Sequence, residues 1–511
     1  MRSLPRMGRV QSWAGISGAS IVAIVIAGCE VGPDYKAPAI PVRSEYYMAT
    51  TRPTSQPTNP RLAEIPTPVE LQRWWETFDD PELNRLIDRA LQSNLDLQVA
   101  VQRIREARAQ IGIAQSGLYP NLDGIANYSH SRRSEHLGSS APAVGSGTTG
   151  SGTTVTTTGG GSSSLESDFY QTGFTSTWEI DVFGGTRRGI EAAQANLDAL
   201  IEDRKSVLIT LLGDVATDYV QLRALQEQVE ITQQNITTQK QSLDLIQTKF
   251  RAGLSANLDV VRQEAQVLTT ESQLPELEAQ IHQQIHLLSV LLDRDPSALE
   301  DELQPMAPIP MGPAHIPPDL PSELLRRRPD IREAERQLAQ ASANIGVATA
   351  DLYPKFSLTG ALGLESSQFH QLFNEHSHYF SIAPGVTWSI FDAGAIRFNI
   401  EVQDSLERQA YFNYEKTVLT GLQEVEDNLI LYAKEQDRRV ELEEAVAADQ
   451  KAVEMTQDLY KNGLDTFLDV LTAQDTLLAG EESLTQSKQL VSADLVALYK
   501  ALGGGWETTP K

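Results

Sequence analysis

The sequence predicts an α+β membrane protein built from an internal tandem repeat, and three observations carry that reading. Signature residues recur at a fixed offset: Tyr119-Pro120 returns as Tyr353-Pro354, 234 residues on, and Trp178 and Gly184 return as Trp388 and Gly394, 210 residues on. Apolar residues at seven-residue spacing mark two very long helices. Between the helical stretches lie segments of strict apolar–polar alternation, the length and pattern of membrane-spanning strands.

The run 252–260 also returns at 462–470. The offset falls from 234 to 210 because the first copy carries 24 extra residues in a Ser/Thr/Gly tract between Ser139 and Ser164. A duplication of this kind means that a ring of such chains surrounds a pseudo-symmetric axis.

The chain has 511 residues and a formal net charge of −26, which argues against nucleic acid as a partner. Its one cysteine, Cys29, excludes an intramolecular disulfide. Arg2, Arg6 and Arg9 precede an apolar run from Ile16 to Ala27, too short to span a bilayer stably. Ile26-Ala27-Gly28-Cys29 resembles the bacterial lipobox, so residues 1–28 are expected to be a cleaved signal and Cys29 to carry the lipid. Two or three acyl chains hold such a terminus on a membrane, each buried CH₂ contributing roughly 0.8 kcal/mol. Glu30 rather than Asp follows, which in lipoproteins generally favours the outer membrane.

Residues 29–70 read as an extended tether, rich in Pro, Ser and Thr. Repeat 1 spans 71–300, a linker 301–325, and repeat 2 spans 326–511. Asp80 can cap a helix whose first residue is Pro81. Further helices are expected at 94–118, 187–250 and 256–292, then at 329–352, 395–461 and 466–501. Strands are expected at 121–131, 170–182, 356–365 and 380–390. The heptad positions Leu208, Val215, Leu222, Val229, Ile236, Leu243 and Phe250 match Val418, Val425, Tyr432, Arg439, Val446, Val453 and Tyr460 in the second copy. The alternate seam is patchy, with Asp218 and Thr232 among Leu211, Leu225 and Ile246. A narrow stripe with much wet surface follows. The helix 187–250 would be a rod of roughly 95 Å, flanked by shorter helices of roughly 37 and 55 Å laid end to end.

A soluble sheet with one buried face would show the same alternation. The lipoprotein signal and the position of the strands between long helices select the membrane. Four strands cannot close a barrel, and an open edge in lipid leaves backbone groups unsatisfied at several kcal/mol each. Oligomerisation is therefore required, as a dimer of eight strands or a trimer of twelve. The connecting loops, 132–168 and 367–379, should face outward.

The lipobox, Gly32-Pro33-Asp34-Tyr35, Trp74-Trp75, Tyr119-Pro120, Arg327-Arg328-Pro329-Asp330, Tyr353-Pro354 and Gly463…Leu468-Asp469-Val470-Leu471 with Gln474 together resemble the TolC/OprM-type outer-membrane factors, in the OprM/NodT lipoprotein branch. The resemblance covers essentially all of the mature chain. It implies a homotrimer: a twelve-stranded transmembrane β-barrel continuous with a twelve-helix periplasmic α-barrel of coiled coils, plus a mixed equatorial domain from 60–92, 293–325 and 500–511. It implies a lipid-anchored protein of the Gram-negative outer membrane, reaching into the periplasm. Its partners would be a periplasmic adaptor and an inner-membrane resistance-nodulation-division (RND) pump.

By the same resemblance Asp469 and Tyr460 belong to the periplasmic gate. Asp465, four residues before Asp469, is expected on the same helix face, where a trimer would set two carboxylate rings favouring cations. Asp465 is also placed to cap the following helix. Gly253 and Gly463 suit left-handed turns at the tips, leaving Leu254, Ser255 and Leu464 at the mouth, where the family docks its adaptor. No catalytic motif is present, no cofactor is expected beyond the lipid on Cys29, and no metal site is assigned. His370, His376 and His378 read as a polar external loop, and His282 and His286 as a helix flank. The expected function is the outer-membrane exit duct of a tripartite efflux system for small toxic compounds. The alternatives are a conduit for ABC-type secretion and, with less support, a structural coiled-coil envelope lipoprotein.

Overall fold

The computed structural model describes residues 30–41, 71–132, 134, 165–313 and 327–508. The signal, Cys29, most of the tether, the Ser/Thr/Gly tract and residues 314–326 of the linker lie outside the described residues. Two compact units are present. Of the described residues, the first gathers 30–35 with those of 109–193 and 341–406, and the second gathers those of 36–108, 194–340 and 407–508.

The helices are α1 (Pro81–Ser93), α2 (Leu95–Ser116), α3 (Gly185–Arg251), α4 (Asn257–Glu271), α5 (Leu274–Leu291), α6 (Pro329–Ala350), α7 (Ala395–Lys461) and α8 (Phe467–Ala501). The strands are β1 (Asn121–Arg132), β2 (Glu166–Ile180), β3 (Lys355–Ser366) and β4 (His378–Thr387). One helix was expected over 256–292, but two occupy it. Pro275 has no N–H for the carbonyl of Glu271, so the ladder is interrupted at Ser272–Gln273. Repeat 2 has no such proline, and α8 runs unbroken for 35 residues.

In the first unit the four strands form one antiparallel sheet in the order β1-β2-β3-β4. The cross-strand pair Gly173–Gly363 stands at its centre. A Cβ on Gly173 would lie 2.4 Å from the carbonyl oxygen of Leu362, so the two backbones approach as only glycines allow. β4 ends at Thr387, short of the expected 390. Five residues on, Asp392 accepts from the N–H groups of Gly394 (2.9 Å) and Ile396 (2.8 Å) and opens α7.

The recurring signature has a common chemistry. The Trp178 indole N–H donates to the carbonyl of Leu118 at 3.0 Å, and that of Trp388 donates to the carbonyl of Leu352 at 3.0 Å. Each tryptophan thus ties its repeat to the residue before the Tyr-Pro pair. Gly32 and Asp34 have their own place in this unit. The Val31 N–H donates to the carbonyl of Phe183, and buried Arg188 donates to Val31 and Asp34. Gly32 lies so close to Gly346 that a Cβ would stand 2.5 Å from its Cα.

In the second unit the core forms where α1, α3, α5 and α8 meet. Asp80 caps α1 through the N–H groups of Glu82 and Leu83, and Leu83, Leu86, Ile87 and Ala90 bury one face. They pack with Trp74, Trp75, Leu212, Val215, Leu288 and Leu495. The Trp74 ring stacks on Tyr499 at 5.3 Å. Arg328 is buried and donates two hydrogen bonds to the Asp330 carboxylate and one each to Glu424 and the carbonyl of Ala501. The Arg328-Pro329-Asp330 motif therefore ties α6, α7 and α8 together.

The heptad prediction meets a mixed outcome. Leu208, Val215, Leu222, Val229 and Ile236 are buried, as are Val418, Val425, Tyr432, Val453 and Tyr460. Between residues 208 and 229, however, α3 is not a narrow stripe. Tyr219, Val220, Arg223, Ala224 and Gln226 are buried too. Arg223 and Gln226 donate to the carbonyls of Pro305 and Leu303, so linker backbone covers a face that pattern alone left wet.

Candidate functional site

The second unit contains both hairpin tips, and their turns are built alike. At the first, Gly253 has φ of +76°, and the N–H of Leu254 donates to the carbonyl of Lys249 at 2.8 Å. At the second, Gly463 has φ of +73°, and the N–H of Leu464 donates to the carbonyl of Leu459 at 2.9 Å. These are glycine-terminated helix ends whose left-handed residue closes the last turn. Nothing lies within 4 Å of a Cβ at either glycine, so the backbone conformation alone calls for glycine. Leu254 and Leu464 stand 76 % and 74 % exposed.

Beyond the second turn, two expectations about Asp465 need correction. The N-cap of α8 is Thr466, not Asp465, and the helix begins at Phe467. Asp465 therefore stands outside the helix and shares no helix face with Asp469. Its carboxylate instead accepts from the N–H of Thr466 at 2.8 Å. Thr466 in turn donates its hydroxyl to Asp469 in the first turn of α8. That hydroxyl holds the Asp469 carboxyl below the usual carboxylate range. Thr466-Phe467-Leu468-Asp469 matches the Ser/Thr-x-x-acidic signature of helix starts, a signal that points to Thr466.

Tyr460 is buried in an apolar cluster with Ile246, Phe467, Val470 and Leu471. Its ring lies 5.3 Å from Phe467, and its hydroxyl is 3.5 Å from that of Ser255. Ser255 also donates to Asp259 at 3.1 Å. Ser255 of the first tip thus meets Tyr460 of the second. Lys249, which no local pattern marks, donates to the carbonyl of Tyr460 across 211 positions of sequence.

Further along the seam is a layer of buried amides. Gln263 donates to the carbonyl of Gln239 at 2.9 Å, and Gln474 donates to the Ser242 hydroxyl at 3.0 Å. The Gln239 side-chain amide itself has no hydrogen-bond partner among the described residues. His282 and His286 both face Glu300, at 2.9 and 3.2 Å. Among the described residues no group of three or more His, Cys, Asp or Glu has a metal-holding arrangement. No described helix is long and apolar enough to cross a membrane.

The family model described as "Outer membrane efflux protein" matches residues 86–292 and 320–504, one match in each repeat. The chain is 33 % identical over 490 residues to the solvent efflux pump outer membrane protein SrpC of Pseudomonas putida, covering 95 % of this chain and 97 % of that one. It is 32 % identical over 443 residues to the pyoverdine export outer membrane protein OpmQ of Pseudomonas aeruginosa, covering 86 % and 88 %. The solved outer-membrane channel OprN superposes with a TM-score of 0.80 at 32 % identity, covering 94 % of this chain and all of that one.

Proposed function

The chain belongs to the outer membrane efflux protein family, and from that premise we propose that it is the outer-membrane exit duct of a tripartite efflux system. It conducts small toxic compounds passively from an inner-membrane RND pump and a periplasmic adaptor to the outside. The observation that carries this reading is the four-stranded sheet. Among the described residues, its outer strands β1 and β4 each have one edge that no strand of the same chain pairs. Leu122, Phe174, Leu362, Phe380, Ile382 and Val386 are exposed along it. Such a sheet suits lipid only when closed, since each unsatisfied backbone group there costs several kcal/mol. Three copies would supply twelve strands, and the two long helices of each copy, with the two columns of shorter helices beside them, would make a twelve-helix α-barrel. The lipid on Cys29 adds a second anchor. Transport of this kind calls for no catalytic group.

The adaptor would dock on the tips around Gly253, Leu254, Ser255, Gly463 and Leu464, where the two leucines offer apolar contacts. Asp465 and Asp469 would line the mouth three-fold, with Tyr460 packed behind them. Doubly replacing Asp465 and Asp469 with Ala should raise single-channel conductance and weaken block by trivalent cations; unchanged traces would put the constriction elsewhere. Cross-linking in the native envelope, followed by mass spectrometry of what co-purifies, tests the assembly. An adaptor and a proton-driven RND pump are the expected partners. Recovery of an ABC exporter would turn the reading to secretion, and an empty pull-down would count against a duct.

A further inference from the structure

The last carbonyls of a helix have no partner inside it and carry partial negative charge. At the end of α7 two of them, on Tyr460 and Lys461, face the Lys249 ammonium at 2.6 and 3.3 Å. The same ammonium lies 4.1 Å above the centre of the Tyr460 ring, close enough for cation–π attraction. Lys249 sits in the last turn of α3. One side chain therefore joins the ends of the two long helices, and it does so beside the turn that carries Asp465 and Asp469.

The duplication makes this contact informative. The position 210 residues after Lys249 is Leu459, which has no charge to offer. Both helix ends close on their own turns, through the N–H groups of Gly253 and Leu254 and of Gly463 and Leu464. At the first tip Arg251 donates to the carbonyl of Gln247 on its own helix, whereas the second tip receives its lysine from the other helix, so the cation contact between the tips runs from the first to the second. The second tip is also the one seated on the apolar cluster of Tyr460, Phe467 and Val470.

We propose that Lys249 is the latch of the periplasmic mouth: it positions the end of α7, and with it the Asp465–Asp469 turn, against the end of α3. The proposal rests on the exit-duct reading. In it, opening the mouth requires the ammonium to leave the α7 carbonyls and the Tyr460 ring. An arginine in its place still donates to carbonyls and still lies over a ring. A methionine keeps the apolar stem and loses both interactions.

The test is single-channel recording of the purified full-length protein in planar bilayers. K249M is expected to conduct about twofold or more above wild type, because the constriction widens, and K249R to conduct as wild type. K249M traces that match wild type overturn the latch. So does a K249R channel as open as K249M, since packing rather than the cation would then hold the mouth. K249Q gives a second reading should K249M not assemble, with an increase expected and wild-type conductance again decisive against. A wild-type protein without conductance would strike the exit-duct reading instead. The latch is then judged by amide exchange across Leu459–Leu464, expected about tenfold faster in K249M, with an unchanged rate overturning it.

Discussion

At the first tip Asn257 is exposed and Val261 is 52 % open; at the second the matching residues, Phe467 and Leu471, are 4 % and 9 % open. The turns before them superpose in kind, down to the glycine φ and the hydrogen bond that closes the helix end. The duplication has thus kept what local backbone chemistry requires and let packing diverge. The second tip rests on its own chain. The first leaves Leu258 and Val261 open, an apolar face that only another surface can cover. In the trimer we propose, a neighbouring copy is that surface, so the two tips would differ in what they need in order to be stable.

Phe467→Ala and Asn257→Ala break the comparison most directly. The first should destabilise the second unit by about 3–5 kcal/mol, as for a buried phenylalanine, and the second by no more than about 0.5 kcal/mol. Chemical unfolding of detergent-solubilised protein measures both. Equal losses would mean that the first tip is as firmly seated as the second.

Gln239→Leu should stabilise. Its amide is buried, and neither its nitrogen nor its oxygen has a partner among the described residues. Removing a desolvated, unpaired amide is expected to gain about 1–3 kcal/mol. The position 210 residues on is Asp449, only half-buried, where Asp449→Leu should gain nothing. A loss of stability in Gln239→Leu would show that the amide layer is satisfied in solution.

The pH dependence separates the repeats again. Burial, and then the charges of Asp203 and Asp330, push Glu333 up to about 7. Between its unfolded value near 4.3 and that folded value, the folded chain holds more protons than the unfolded one. Stability contributed by this group is therefore complete below about 4.3 and lost as pH rises through about 7. Glu333→Gln should remove that slope and raise stability at pH 8 by about 1–2 kcal/mol once solvent screening is allowed for. Val99 holds the matching place in repeat 1, and Val99→Ala should leave the pH profile unchanged. Thermal unfolding across pH 4–9 decides it.

What was legible in the sequence follows the same division between local and distant causes. The glycine turns, the Asp80 cap and the heptad seam each depend on neighbours within a turn or two, and each is readable from spacing. The Tyr-Pro and Trp signatures are visible as repeats, but the indole-to-carbonyl bond joining them links residues 60 and 36 positions apart, beyond the reach of any local pattern. Asp465 was misread as a cap because Asp and Thr stand side by side and either can serve. Pro275 lies within the stretch expected as one helix, and its missing N–H is the local reason that stretch is two. Lys249 carried no signal, because its partners lie 211 and 212 positions away and a lysine near a helix end is ordinary. The burial of α3 at Arg223 and Gln226 was hidden for a similar reason: the cover is backbone, which no side-chain pattern announces.

The finest test of the comparison is the glycine pair. Gly253→Ala and Gly463→Ala place a Cβ where nothing lies within 4 Å, so the cost comes from the left-handed backbone alone, about 1–2 kcal/mol. If the turns are the shared part of the two tips, the two losses should agree within about 0.5 kcal/mol. Their kinetic consequences should not agree. The second turn is held through Lys249 and the Tyr460 cluster, so strain there is opposed by packing and should appear as slowly exchanging amides loosening around Leu464. Strain at the first turn has little packing to oppose it and should leave already fast amides near Leu254 almost unchanged. Matched exchange at both tips, with matched stability losses, would mean that the packing difference between the repeats has no bearing on how firmly either tip is held.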